Sequence, residues 1–196
     1  MELLRLIKSK QCVREYKKKR IPHNILSKII EAGIWGPAVH HYQPWKFFAI
    51  TNKKTIVEIA QLLLRADSST KTVSNLLEYS ASNIIRSAAA IIIVYNSGDM
   101  HAMRHRLKQL YLKFERILDI VELSAIAAAI QNMMLVAESF GVGSCWLDTP
   151  LLQAQKINKL LRHKGKMVAV ITLGYASQRN TRSLRKPIKD SVNYIK

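Results

Sequence analysis

Acidic side chains are scarce in this chain: 13 Asp and Glu face 31 Lys and Arg, for a formal charge of +18. A balance this basic points to anionic partners, such as nucleic acid, a membrane surface or a small phosphorylated ligand. The positive residues are dispersed, with clusters at Lys17-Lys18-Lys19-Arg20 and across residues 179–189. No aromatic-and-glycine RNA-binding signature accompanies them, so phosphate binding at selected positions is expected before nucleic acid. Cysteine is nearly absent. Cys12 and Cys145 cannot make a disulfide framework, and a reduced cytoplasmic protein with inert thiols is expected. No Cys/His spacing suits a metal. A Rossmann glycine fingerprint, a P-loop and a nucleophile elbow are all missing. The longest apolar region, around 126–137, carries Gln131 and Asn132 and is too short to span a bilayer. The N-terminal residues are amphipathic and lack the continuous apolar core of a signal peptide, so no membrane partner is expected.

What is present suits one domain over residues 1–196, with 48 % hydrophobic residues to build its core. Residues 2–9 read as a short amphipathic helix, followed by an extended segment from Gln11 to Tyr16. A helix begins near Pro22 and buries Ile25, Leu26, Ile29 and Ile30 on its way to Trp35. Residues 46–51 form a strand, and Asn52 caps a helix over 53–64. Asp67-Ser68-Ser69-Thr70 separates it from a helix ending near Arg86. The run Ala88 to Tyr95 reads as a strand buried on both faces, and 96–99 as a turn. A basic helix over 100–114 opens with His101, Arg104 and His105. The spacing predicts the longest helix over 117–140, apolar on nearly every side and therefore buried all round, with Met133 and Met134 in the core. In so short a chain such a spine suggests sharing with a second subunit. Gly141 and Gly143 end it, residues 153–161 form another helix, and 167–173 a strand closed by Gly174. The basic tail from Ala176 has no core face of its own. Trp35 and Trp146 are expected in the core. Helices alternating with about four strands, without repeats, give an α+β or α/β class with a mixed sheet between helices.

The stretch Gly36-Pro37-Ala38-Val39-His40-His41-Tyr42-Gln43-Pro44-Trp45 stands out. Two prolines fix the backbone and deny it to helix and strand, yet it carries imidazoles, a carboxamide, a phenol and an indole. On these residues alone, a ligand site and a well-packed connector are equally good readings. Three more segments decide between them. Lys10-Gln11-Cys12-Val13-Arg14 is similar to the R-R-S-x-R segment of the FMN-dependent nitroreductase family. The loop resembles that family's A-P-S-x-x-N-x-Q-P-W. Ala137 to Trp146 resembles A-x-x-x-G-L-G-x-C-W, and Gly174-Tyr175 followed by Arg185-Lys186-Pro187 resembles G-Y…R-K-P. The four segments occur in the family's order across nearly the whole chain.

The resemblance implies an α+β fold with a mixed, mostly antiparallel sheet flanked by helices. It also implies an intertwined homodimer with FMN at the subunit interface. Lys10 and Arg185 would hold the FMN phosphate, with Gln11 and Cys12 beside them and Lys186 as a second cation. Arg14 would stand at the N1–C2 carbonyl edge of the ring. Pro37, Ala38, Val39 and His41 would come from the partner subunit, with Gln43 in the same loop. Asn83 and Arg86 would contact the pyrimidine ring, and Leu147 and Asp148 would lie near N5. No catalytic side chain is expected, because the flavin carries the chemistry. Departures from the family fall at Ala38 and His41, which replace a serine and an asparagine, and at Lys10, which replaces an arginine and loses its fork.

The implied activity is two-electron, ping-pong transfer from NAD(P)H to a nitroaromatic or quinone-like small-molecule acceptor. The alternatives are a specialised flavin chemistry on the same fold (dehydrogenase, dehalogenase or flavin-fragmenting enzyme) and a non-catalytic basic nucleic-acid-binding protein.

Overall fold

The computed structural model describes residues 2–38, 41–64, 73–98, 115–177 and 184–195. Val39, His40, the 67–70 stretch, the helix expected over 100–114 with His101, Arg104 and His105, and Arg179 lie outside the described residues.

Four strands form the centre: β1 (Trp45–Ile50), β2 (Ala90–Asn96), β3 (Gly143–Leu147) and β4 (Lys166–Gly174). Their order is β1-β2-β4-β3, and every ladder is antiparallel. A parallel pairing occurs at the Cys12–Ser144 bridge. Among the described residues six helices surround the sheet: α1 (Leu3–Ser9), α2 (His23–Ile34), α3 (Lys53–Leu63), α4 (Val73–Ser87), α5 (Glu115–Ser139) and α6 (Ala154–Leu160).

β2 is buried along its whole length, as its unbroken apolar run requires. Its side chains alternate between two cores. Ala90, Ile92 and Val94 face α2 and α5, whereas Ile91, Ile93 and Tyr95 face α3, α4 and α6. Helices on both sides explain why an antiparallel strand carries no polar face.

Local chemistry fixes several boundaries. Pro22 precedes α2, where its missing N–H costs nothing. The Asn52 carboxamide accepts from the Thr55 N–H at 3.1 Å and starts α3. α5 ends in a Schellman arrangement: Gly141 adopts φ +68°, its N–H reaches Glu138 O, and the Val142 N–H reaches Ala137 O.

Three expectations change. First, α5 has 25 residues, longer than its apolar centre suggested, and by length and composition it could cross a membrane. It instead packs on α2 and β3 as a core helix. Second, it is not buried all round, because Ile117 and Ile120 are exposed on one face of its first turns. Third, Trp35 is not in the core but 79 % exposed, since α2 ends there and turns its last residue outward. Trp146, as expected, packs against the core, as do Met133 and Met134.

Candidate functional site

After α1 the chain crosses one end of the sheet as a strip, residues 10–17. Cys12 bridges Ser144 of β3, and the Val13 N–H donates to Ser144 O at 3.0 Å. Further on, Tyr16 bridges Ala176, and the Lys17 N–H donates to Tyr175 O at 2.8 Å. The strip therefore runs from β3 across the end of β4. The Tyr16 hydroxyl clamps it, lying 2.8 Å from Val13 O, 2.7 Å from Thr172 Oγ1 and 3.2 Å from Thr172 O. Burial holds this phenol protonated, its pKa well above the usual value.

Two glycines let the strip lie so close. Gly143 and Gly174 face each other across the β3–β4 ladder. A Cβ on Gly143 would stand 2.4 Å from Val13 Cγ2, and one on Gly174 would stand 2.7 Å from the Tyr16 ring. Sequence reasoning assigned both glycines to element ends. Their positions against a passing strand could have been suspected from glycine inside a strand pattern. Tyr16 and Thr172 gave no such signal, since their bond spans 156 residues.

With Val13 and Tyr16 turned inward, Arg14 is left on the outer side of the strip. Lys10 closes α1, its N–H on Leu6 O, and its Nζ lies 3.9 Å from Cys12 Sγ. Gln11 and Cys12 are half-buried. The Cys12 thiol is lowered to about 5, chiefly by a hydrogen bond from Cys145 and further by Lys10 and Arg14, against the opposing effect of burial. Cys145 is pushed the other way and keeps its proton. Of the two thiols, Cys12 is the one whose ionisation is favoured.

Asn83 and Arg86 share the exposed face of α4. The α4 terminus is fixed by Lys53, whose Nζ donates to Arg86 O at 2.6 Å and Ala88 O at 3.2 Å. At the far end of β3, Leu147 is buried and Asp148 exposed, so Leu147 offers backbone only. The loop after α2 is anchored at both ends. Gly36 rests on Ala129 of α5, and Pro44 is buried with its carbonyl accepting from the Ser97 N–H. Between them Pro37, Ala38, His41 and Gln43 are exposed. His41 holds φ +67°, a left-handed conformation in which His, Asn and Asp are enriched. Arg185 and Lys186 lie on the exposed segment 184–195, away from any core. The chain's own fold thus gathers Lys10, Gln11, Cys12 and Arg14, and leaves the loop and the tail facing outward.

Lys17 to Arg20 is more than a solvated turn. With His23 and Lys53 it lines a cleft of about 710 Å³ at the ends of β1 and β2. Burial and the neighbouring Lys18 both lower the Lys53 amine from its ordinary value. The cations there are crowded.

The sequence pattern of the nitroreductase family matches residues 7–175. The chain belongs to the nitroreductase family. The match includes the strip, the loop and β3, and stops before Arg185 and Lys186. A Methanothermobacter thermautotrophicus protein named as an NADH dehydrogenase/NAD(P)H nitroreductase is 24 % identical over 192 residues, 95 % of this chain and 84 % of that protein. The crystal structure of a Desulfovibrio desulfuricans nitroreductase in complex with FMN is similar with a TM-score of 0.76 and 25 % identity, covering 100 % of this chain and 97 % of that one. A BluB-like flavoprotein from Clostridium difficile matches with a TM-score of 0.78 at 20 % identity over the full length of both chains, a likeness of fold.

Proposed function

We infer that this nitroreductase-family chain is an FMN-dependent oxidoreductase drawing on NAD(P)H, and we propose that its acceptors are nitroaromatic or quinone-like compounds. The carrying observation is the strip clamped on Gly143 and Gly174, which fixes Lys10, Cys12 and Arg14 at the end of the sheet. Its donor set suits a phosphorylated flavin. A hydrogen-bond donor and two cations lower the Cys12 thiol there, so the site favours negative charge. When bound, FMN supplies two-electron hydride chemistry at its ring. The chain's part is to position and to bias. Lys10 and the Arg185 and Lys186 of the tail would hold the phosphate. Arg14 would set positive charge against the ring's carbonyl edge, with Asn83 and Arg86 on α4 as the pyrimidine contacts. Backbone at Leu147 and Asp148 would border the reacting position, and the exposed Asp148 carboxylate would disfavour anionic acceptors.

The same reading assigns Pro37, Ala38, Val39, His41 and Gln43 to a partner's site in an intertwined homodimer. What supports it is apolar surface that one chain leaves open. Trp35, Ile117 and Ile120 are exposed, as are Leu184, Ile188, Tyr194 and Ile195 on the tail. Area of this kind marks an interaction surface.

The test is direct. Purified protein should bind one FMN per chain, show flavin absorbance that NADPH or NADH bleaches, and recover it when a quinone is added. Arg14→Ala should slow bleaching at least ten-fold at saturating FMN. A colourless protein that cannot be reconstituted, yet binds DNA with a steep salt dependence, would overturn the reading.

A further inference from the structure

The chain's two cysteines are 133 positions apart in sequence, at Cys12 and Cys145, and border the same core cluster. The parallel bridge between Cys12 and Ser144 puts Cys145, the next residue of β3, on the backbone segment beside Cys12, and the Cys145 Sγ lies 3.8 Å from Trp146 O. Cys12 is half-buried and Cys145 fully buried, so reagents arriving from solvent meet Cys12 first. Lys10 Nζ lies 3.9 Å from Cys12 Sγ. Arg14 stands on the same strip, and Tyr16, held neutral by burial, completes the titratable surroundings. Behind Lys10, Glu138 of α5 is kept partly buried beside Ser9. A half-buried nucleophilic sulfur, a cation beside it and a second, buried sulfur on the neighbouring segment are the parts of a redox-sensing dithiol.

We propose that Cys12 and Cys145 form a peroxide-reactive dithiol at the phosphate end of the FMN site, Cys12 attacking and Cys145 resolving. In the first step Cys12 sulfur attacks the distal oxygen of a hydroperoxide and takes it up. The O–O bond breaks, a sulfenic acid forms on Cys12, and the leaving alkoxide or hydroxide takes a proton. In the second step Cys145 sulfur attacks that sulfenic sulfur, the S–O bond breaks, and water leaves as the S–S bond forms. The two sulfurs give up one electron pair and the peroxide takes it. A thiol reductant reverses the change. The position at the phosphate end rests on the FMN reading, and it sets the sign of the coupling. An incoming phosphate competes with the Cys12 thiolate for Lys10 and Arg14 and covers it, so FMN slows the oxidation.

The Cys145 thiol, Lys10 and Arg14 lower the Cys12 thiol from its ordinary value, so its thiolate is more available below neutral pH than that of a free cysteine.

The experiment uses the full chain without cofactor, hydrogen peroxide, intact-mass measurement and thiol counting. Wild type should lose both thiols and the mass of two hydrogens as a monomeric chain species, and dithiothreitol should restore both. Cys145→Ala should gain one oxygen instead, and Cys12→Ser should keep the Cys145 thiol free. Dithiodipyridine at pH 5.5 should label wild type at least several-fold faster than a cysteine peptide, and added FMN should slow the labelling. Persistence of both thiols under peroxide that oxidises the peptide would overturn the proposal, as would labelling that rises only above pH 8. If the bridge forms but FMN neither binds nor protects, the dithiol stands and the cofactor reading falls. If FMN binds and no bridge forms, the cofactor reading stands and the dithiol falls.

Discussion

Tyr16→Phe isolates the clamp that holds the strip to the sheet. The ring stays, so its buried area is unchanged, and only the hydroxyl is lost. That hydroxyl has one proton and three close oxygens: Val13 O at 2.8 Å, Thr172 Oγ1 at 2.7 Å and Thr172 O at 3.2 Å. The phenol donates to a carbonyl and accepts from the threonine. Without it the threonine hydroxyl keeps Cys145 O at 3.4 Å, but Val13 O loses its donor inside the core. One buried bond lost and one acceptor left bare amount to about 1–3 kcal/mol. For a chain of this length a 2 kcal/mol loss lowers the melting temperature by about 4–8 °C. Urea unfolding of the variant should show a lower midpoint with an unchanged slope. Because Val13 sits between Cys12 and Arg14, FMN affinity should fall as well, by about three- to ten-fold on the strength of one weakened hydrogen bond. Tyr79→Phe, at an exposed position, should change neither quantity. Combining Tyr16→Phe with Thr172→Val should cost less than the sum of the two, since they share a bond. An alkaline arm adds a sign. Burial raises the folded phenol above its unfolded value near 10, so Tyr16 contributes its full stability below that pH and loses it as pH rises further. The phenylalanine variant should therefore lose less stability than wild type above pH 10. A loss under about 0.5 kcal/mol with intact FMN affinity would refute the clamp.

Gly143→Ala should destabilise by about 1–3 kcal/mol and weaken FMN binding, because its Cβ would stand 2.4 Å from Val13 Cγ2 and 2.9 Å from Val13 Cβ. Gly141→Ala, strained by φ +68° but with open space around its Cβ, should cost about 1–2 kcal/mol and leave FMN binding intact. Chemical denaturation and flavin titration separate the two. Asn52→Ala should cost about 1 kcal/mol through the lost cap, with no effect on flavin reduction. Removal of the chain from Leu184 onward should halve the mass seen by light scattering and lower FMN affinity, since the tail carries Arg185, Lys186 and the exposed Leu184, Ile188 and Tyr194.

The elements that local chemistry governs were legible in sequence. The unbroken apolar run of β2, the Asn52 cap, the Pro22 start of α2 and the glycine end of α5 each depend on neighbours a few residues away. Contacts made across the sheet were not. Nothing local to Gly143 or Gly174 says that a strand segment from the other end of the chain will lie on it. Trp35 misled for a related reason. Indole area usually means burial, but a helix terminus exposes what a partner surface would have to cover. Each thiol was weighed alone in the sequence, where nothing says that Cys12 will lie against the β3 segment that holds Cys145.

The strip, rather than the loop, is what makes the site of one chain intelligible. The loop carries the conspicuous residues, yet a single chain turns them outward, and His41 keeps a left-handed backbone there. The strip looks plain in sequence, and its buried half does the fixing. Val13 and Tyr16 use two facing glycines as a seat, and their inward turn is what leaves Arg14 outside. Position, not composition, then decides the chemistry. A lysine, an arginine and two cysteines dispersed over the surface would be unremarkable. Held beside β3, the lysine and arginine lower the Cys12 thiol and so favour negative charge, and that is the property a cofactor phosphate needs.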